Sequence, residues 1–255
     1  MSEDKTLKLW QLDGTLVNTF KGDSGTLLSV TWHPLGEMIA SCSADGKIWL
    51  WKPDGKLWKI LKLHEADISI WDIRFSPDGK LLASASNDGT IRLWSSDGKL
   101  IKILKGHTGI IWKVAFSPDG EILASGSGDT TVKLWKDGTL IKTLTGHKSA
   151  VWGIAFSRDG SLIATGSIDE TVKLWKRDGT LITTLKGHSS GVRSVAFHPS
   201  LPILASTGDD QTIILWNLEP ILNLKPLSSA CHWVGDYLRT NQALDRDNSS
   251  LCRDF

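Results

Sequence analysis

Three histidines, His107, His147 and His188, stand roughly 40 residues apart, and each is followed by a hydroxyl and a carboxylate at the same offsets. Ser125 and Asp129 follow His107, Thr165 and Asp169 follow His147, and Ser206 and Asp210 follow His188. His64 heads a further set with Ser84 and Asp88. Two chemistries use these residue types. Imidazoles ligate metals, and Ser, His and Asp make the nucleophile, base and orienting acid of a hydrolase. Both require the groups to converge, either at about 2 Å from one ion or within hydrogen-bond reach of one substrate. The even spacing argues instead for one set in each of several equivalent units. No metal centre, no catalytic site and no cofactor are therefore expected, and the chain reads as a non-enzyme. A phosphate cradle of the form GxxxxGK[ST] is also absent: the Gly-Lys pairs beginning at Gly46, Gly55, Gly79 and Gly98 are followed by Ile or Leu.

The units that carry these sets are visible in the tryptophans, of which the chain has 13 beside a single tyrosine. Six close the same phrase: TLKLW at Trp10, KIWLW at Trp51, TIRLW at Trp94, TVKLW at Trp135 and again at Trp175, and TIILW at Trp216. Between phrases lie short β-branched or apolar runs such as WKVAFS (112–117) and EILASGS (121–127), with TLIKTLTG (139–146) after the tryptophan. Asp-Gly pairs, which supply the positive φ that tight hairpins need, separate them at Asp78, Asp119 and Asp159 and again at Asp13, Asp54, Asp97, Asp137 and Asp178. Each unit of about 41 residues thus reads as four antiparallel strands, with no room for a long helix. A lone four-stranded sheet cannot bury both faces. Stacking such sheets radially buries each between its neighbours and predicts an all-β propeller.

Composition is compatible with this and excludes other classes. The 255 residues are 40% hydrophobic and 22% charged, as in a globular protein. With 29 basic and 28 acidic residues the formal charge is +1, which offers no footprint for nucleic acid or an anionic membrane. No run of 18 apolar residues exists, and the acidic start MSEDKTLKLW has no signal-like apolar segment. Cys42, Cys231 and Cys252 are scattered and odd in number, which points to reduced thiols and a cytoplasmic location.

The order Gly-His, strands, an Asp-containing turn and Leu-Trp resembles the WD40-repeat family over roughly residues 5–224. The family's Trp-Asp dipeptide is missing, since Gln, Lys, Ser, Lys, Lys and Asn follow the six tryptophans. The resemblance implies a propeller of about five to six four-stranded blades in residues 1–224, with a partial first blade at 5–20 and repeats closing at Trp51, Trp94, Trp135, Trp175 and Trp216. It also implies a buried tetrad in each blade: His64, Ser84, Asp88 and Trp94; His107, Ser125, Asp129 and Trp135; His147, Thr165, Asp169 and Trp175; His188, Ser206, Asp210 and Trp216. The His–Ser–Asp sets then serve as latches around an indole, with no oxyanion donors implied. In the blade closing at Trp51, Asp23 stands where the histidine belongs. Asp23 is expected to turn to solvent rather than face Asp45, which makes this blade the weaker. His33 and His198 occupy the serine position of the FSPDG turn and read as turn residues.

The function expected of such a scaffold is to bind a protein or peptide at one end of its channel. In family register the residue 23 before each closing tryptophan reaches that end: Leu28, Trp71, Trp112, Trp152 and Arg193. Tryptophan and arginine dominate binding hot spots. The adjacent turn positions, Ala44, Asn87, Gly128, Ile168 and Asp209, vary while their surroundings hardly do. Two readings stay open for the tryptophans: they contact a partner, or they wedge between blades.

The count of strands leaves the ring incomplete at about five and a half blades, with PILNL (220–224) expected as the outer strand of the last. A strand-swapped dimer, or continuation of a longer chain, would complete it. Residues 225–255 drop the strand pattern, and Cys231, Trp233, Val234 and Leu238 suggest a short amphipathic helix. This stretch resembles the ending of large cyanobacterial WD-repeat proteins that commonly carry a NACHT-type NTPase upstream. That resemblance implies an alternative role as the sensing end of a larger signalling protein.

Overall fold

A computed structural model describes residues 4–22, 25–62 and 68–222. The forty-residue rhythm resolves into six antiparallel sheets in chain order. The first holds β1 (Thr6–Trp10) and β2 (Leu16–Lys21), and the second β3 (Leu27–Trp32), β4 (Ile39–Ser43), β5 (Lys47–Trp51) and β6 (Leu57–Lys62). The third holds β7 (Ile70–Phe75), β8 (Leu81–Ser86), β9 (Thr90–Ser95) and β10 (Leu100–Lys105). The fourth follows with β11 (Ile111–Phe116), β12 (Leu123–Ser127), β13 (Val132–Lys136) and β14 (Thr139–Leu144). The fifth has β15 (Val151–Phe156), β16 (Leu162–Ser167), β17 (Thr171–Lys176) and β18 (Leu181–Lys186). In the sixth are β19 (Val192–Phe197), β20 (Ile203–Gly208) and β21 (Ile213–Asn217). Within each sheet every strand pairs with the next in sequence, so the connections inside a sheet are hairpins. The glycine of each Asp-Gly pair has a φ between 69° and 92°, the conformation that those turns require and that a Cβ disfavours.

The sheets stack in order through their first strands, with β3 beside β7, β7 beside β11, β11 beside β15 and β15 beside β19. The core is therefore a series of five inter-sheet layers rather than one central cluster. The layer between the fourth and fifth sheets is representative. Ala124, Val132, Leu134 and Leu144 on the leading face of one sheet meet Val151, Ile154, Ile163 and Trp175 on the trailing face of the next. Equivalent residues make the layers on either side: Ile91, Leu93 and Leu104 with Ile111, Val114 and Trp135, and Val172 and Leu174 with Val192, Val195 and Leu204. Burial at about 25 cal/mol per Å2 of apolar surface makes each layer a substantial favourable contribution. Close approach also requires small residues: a Cβ on Gly166 would lie 2.6 Å from Val192 Cγ1 of the next sheet.

The last sheet departs from the sequence expectation. Where the outer strand was expected to begin, Glu219–Leu222 make one helical turn instead, α1. The connection after Trp216 lacks the Asp-Gly turn of the other blades and carries Pro220, which has no N–H for a ladder. Asn217 Oδ1 accepts a hydrogen bond from Glu219 N at 3.0 Å, and Leu218, 1% exposed, anchors the turn beneath Pro202 and the sheet. Among the described residues β21 thus has no fourth partner. Asp23, His64, Cys231, Cys252 and the expected helix in 225–255 lie outside the described residues.

Candidate functional site at the mouth of the propeller

The imidazole sets are built inside separate sheets. His107 Nδ1 lies 2.7 Å from Asp129 Oδ2 and its Nε2 2.8 Å from Ser125 Oγ, while Trp135 Nε1 donates to the same Ser125 Oγ at 2.9 Å. His147 repeats this with Asp169 at 2.9 Å and Thr165 at 2.7 Å, and Trp175 donates to Thr165 at 2.9 Å. His188 does so with Asp210 at 2.8 Å and Ser206 at 2.7 Å, and Trp216 donates to Ser206 at 2.8 Å. A carboxylate accepts only, so the Nδ1 atoms carry the protons and the hydroxyls donate to Nε2. The result is a one-way chain from indole to hydroxyl to imidazole to carboxylate.

Its order is that of a nucleophilic triad, but Ser125 and Thr165 are 0% exposed and each already accepts an indole N–H, so no substrate reaches them. Burial lowers the proton affinity of His107 and His147, against the pull of their aspartates, and keeps both imidazoles neutral. Burial pushes the Asp129 and Asp169 carboxyls up, but hydrogen bonds outweigh it: Thr131, His107 and Thr108 N for the first, Thr171, Lys148 N and His147 for the second. Both end at about 2.

The two other sets are described without the residue at the histidine position. In the third sheet Trp94 Nε1 donates to Ser84 at 3.0 Å, and Asp88 is engaged by Arg92 at 2.9 Å. In the second, Trp51 Nε1 donates to Ser41 at 3.0 Å, and the buried Trp49 stacks on Trp51 at 5.6 Å and 11°. Trp49 takes the strand position that Lys133 and Lys173 hold elsewhere, where they reach Thr143 and Thr184. His33 and His198 close turns, as their backbone contacts show, and His33 in addition is buried against Gly79 O at 3.2 Å and edge-on to Phe75.

At the start of each inner strand the chemistry differs. The pairing register slips between Leu27 and Ser29, Ile70 and Asp72, Ile111 and Lys113, Val151 and Gly153, and Val192 and Ser194. The bulged residues are therefore Leu28, Trp71, Trp112, Trp152 and Arg193. A bulge frees one side chain from the alternation of the ladder and re-aims it. Trp71 meets Trp112 at 4.6 Å between ring centroids and a tilt of 58°, and Trp112 meets Trp152 edge-on at 6.0 Å. The Arg193 guanidinium lies 3.8 Å over the Trp152 ring and donates from Nε to Asp209 Oδ1 at 2.5 Å. Four sheets thus contribute to one continuous aromatic–guanidinium row. Leu28 instead packs into the core layer between the second and third sheets.

The three indoles are half-buried, and their Nε1 atoms are buried without an acceptor. The turn positions sit against this row. Ala44, Asn87, Gly128, Ile168 and Asp209 each donate a backbone N–H, at 2.8–3.0 Å, to the carbonyl two residues before the bulged residue of the same sheet. Gly128, Ile168 and Asp209 are exposed, and Ala44 and Asn87 half-buried.

One cluster beside the row escapes sequence reasoning. Asp72, 2% exposed at its side chain, accepts from Ser29 Oγ at 2.7 Å and Val114 N at 3.2 Å, and pairs with Arg74 at 3.2 Å and Lys113 at 3.4 Å. It ties the second, third and fourth sheets together just below the tryptophans. The signal was present in the residue after each bulge, which reads Ser29, Asp72, Lys113, Gly153 and Ser194 and pairs charges only between neighbours. Burial and the Asp72 charge push the thiol of the adjacent Cys42 up, so it stays protonated and donates to Ile70 O. Among the described residues no group of three or more His, Cys, Asp or Glu could hold a metal ion, and no helix is long and apolar enough to cross a membrane.

The repeats also match known proteins. "Protein transport protein SEC13" of Yarrowia lipolytica is 38% identical over 74 residues, covering 27% of this chain and 25% of that protein. The protein of the same name from Debaryomyces hansenii is 44% identical over 71 residues, covering 25% and 24%, and that from Candida albicans 45% over 65 residues, covering 22% of each. The chain spans about a quarter of the length of these curated relatives. The family described as "WD40: WD domain, G-beta repeat" matches five times, at residues 14–52, 55–95, 98–136, 138–176 and 179–217. Each matched repeat joins the outer strand of one sheet to the three inner strands of the next, which laces neighbouring sheets covalently. With these repeats covering most of its length, the chain belongs to the WD40 repeat family.

Proposed function

We propose that the protein is a non-catalytic interaction scaffold that holds a protein or peptide on the Trp71–Trp112–Trp152–Arg193 row. The observation that carries this reading is the placement of four residues of hot-spot type on consecutive bulges, in mutual contact and partly open to solvent, with the three indole N–H groups left unused by the frame. The row offers flat apolar area with an arginine at one end, and the variable turn residues Ala44, Asn87, Gly128, Ile168 and Asp209 form its rim. The similarity to relatives named as protein transport proteins supports a role among other proteins. The cytoplasm is the location that fits the free, buried Cys42.

The test is a comparison of partners held by the immobilised wild-type chain and by Trp112→Ala. Loss of a hot-spot anchor costs about 2 kcal/mol or more, roughly a 30-fold weakening, at an unchanged melting temperature. Partners held equally well by Trp112→Ala and Trp152→Ala would remove this surface from the reading and leave the indoles as wedges.

A further inference from the structure

The five core layers share one composition, and the two ends of the stack expose its two halves. On the leading face of the sixth sheet, Ile213 and Leu215 occupy the positions of Val132 and Leu134, or Val172 and Leu174, relative to the closing tryptophan. Those residues are 0–1% exposed because the next sheet covers them, whereas Ile213 is 72% and Leu215 68% exposed. On the trailing face of the first sheet, Trp10 occupies the position of Trp135 and Trp175. Those two indoles are 3% exposed and lie in the layers formed with the preceding sheet. Trp10 is 53% exposed.

The leading face of the first sheet is already used, with Leu7, Leu9 and Phe20 packed on Leu27, Ile39 and Trp51. What remains open is thus a knob at one end and its seat at the other. Within one molecule they do not meet, since all three side chains are open to solvent.

We propose that a second copy of this chain docks here, Trp10 of one molecule seating over Ile213 and Leu215 of the next, in the manner of a core layer between sheets. The occupant follows from continuity with the layers already present. Every other leading face in the molecule is covered by a trailing face that bears this indole, and the uncovered trailing face belongs to the chain itself. Because knob and seat are different surfaces, the contact is heterologous, and it generates a ring or a growing row rather than a self-limiting two-fold dimer. It also differs from exchange of strands, because both sheets keep their own hydrogen-bonded partners. Only β1 and β2 contribute from the first sheet, so the interface is about half a core layer and association is concentration-dependent.

The experiment measures mass by light scattering across a concentration series for the wild type, Trp10→Glu, Leu215→Glu and an equimolar mixture of the two variants. All three side chains involved are exposed, so the replacements leave the fold intact, which circular dichroism checks. The wild-type mass should rise with concentration beyond a dimer. Each variant alone should stay monomeric, and the mixture should form a complex of twice the monomer mass and no larger, since each variant keeps one intact face. Association that survives either single variant, or a mixture that stays monomeric, overturns the proposal. So does a wild type that stays monomeric at every concentration, which would mean that the face is covered by residues 223–255 or left bare.

Discussion

Two sets of tryptophans divide the molecule into a wall and a mouth. In the wall, Trp51, Trp94, Trp135, Trp175 and Trp216 all donate their indole N–H to a serine or threonine on the neighbouring strand at 2.8–3.0 Å. At the mouth, Trp71, Trp112 and Trp152 leave that N–H buried without an acceptor and expose part of the ring. A buried donor without a partner costs about 1–3 kcal/mol. All three tryptophans of the mouth carry that cost, whereas in the wall it falls on Trp49, 2% exposed and stacked on Trp51, and not on the five closing tryptophans. At the mouth the condition recurs on three consecutive bulges, which supports the proposed reading of these residues as a contact surface.

Substitutions can break or sharpen this contrast. The largest effect is expected at the wall: Trp175→Ala removes a buried ring and should cost about 3–5 kcal/mol, measured by denaturant unfolding. Trp152→Ala at the mouth should cost clearly less. Equal costs would erase the distinction and favour the wedge reading.

Next in size is Thr165→Val, which is close in volume but strips the Trp175 indole and His147 of their shared hydroxyl. A loss of about 1–3 kcal/mol is expected, with a matching fall in melting temperature. At the small end is Arg193→Ala. The pair of Arg193 with Asp209 is exposed, so stability should change by less than about 1 kcal/mol, while capture of a partner weakens.

Acid probes the wall alone. His107 and His147 are neutral in the fold with lowered proton affinity, so the unfolded chain binds more protons below pH 6.5, and stability falls as the pH drops through that value. Asp129 and Asp169 add a contribution that is whole above pH 3.8 and is lost as the pH falls toward about 2. A melting temperature that declines from pH 7 to 5, and declines further below 4, is the expected profile. The tryptophans of the mouth add nothing to it, and Thr165→Val should flatten its upper limb.

Much of the wall was legible because it repeats. Asp-Gly pairs announce the hairpins, and the shared offsets of His147, Thr165, Asp169 and Trp175 with their counterparts announce a unit used several times. The start of the expected last outer strand was misread because PILNL has the apolar spacing of a strand, while at 219–222 Pro220 and the missing turn decide for one helical turn tied to Asn217 and Leu218. The Asp72 cluster was hidden for a different reason. Ser29, Asp72 and Lys113 are over forty residues apart in sequence, and an isolated charge on a strand says nothing of what lies across the next sheet.

The sequence by itself determined the sheets and their order, because turn chemistry and alternation act over a few residues and the chain repeats them. Only the tertiary structure decided which tryptophans are satisfied. The bulge that re-aims Trp71, Trp112 and Trp152, the layer that buries Trp175 and leaves Trp10 open, and the guanidinium over Trp152 all arise from packing between sheets. Residues of one type on similar strands meet different neighbours there, and it is the neighbour that sets the role.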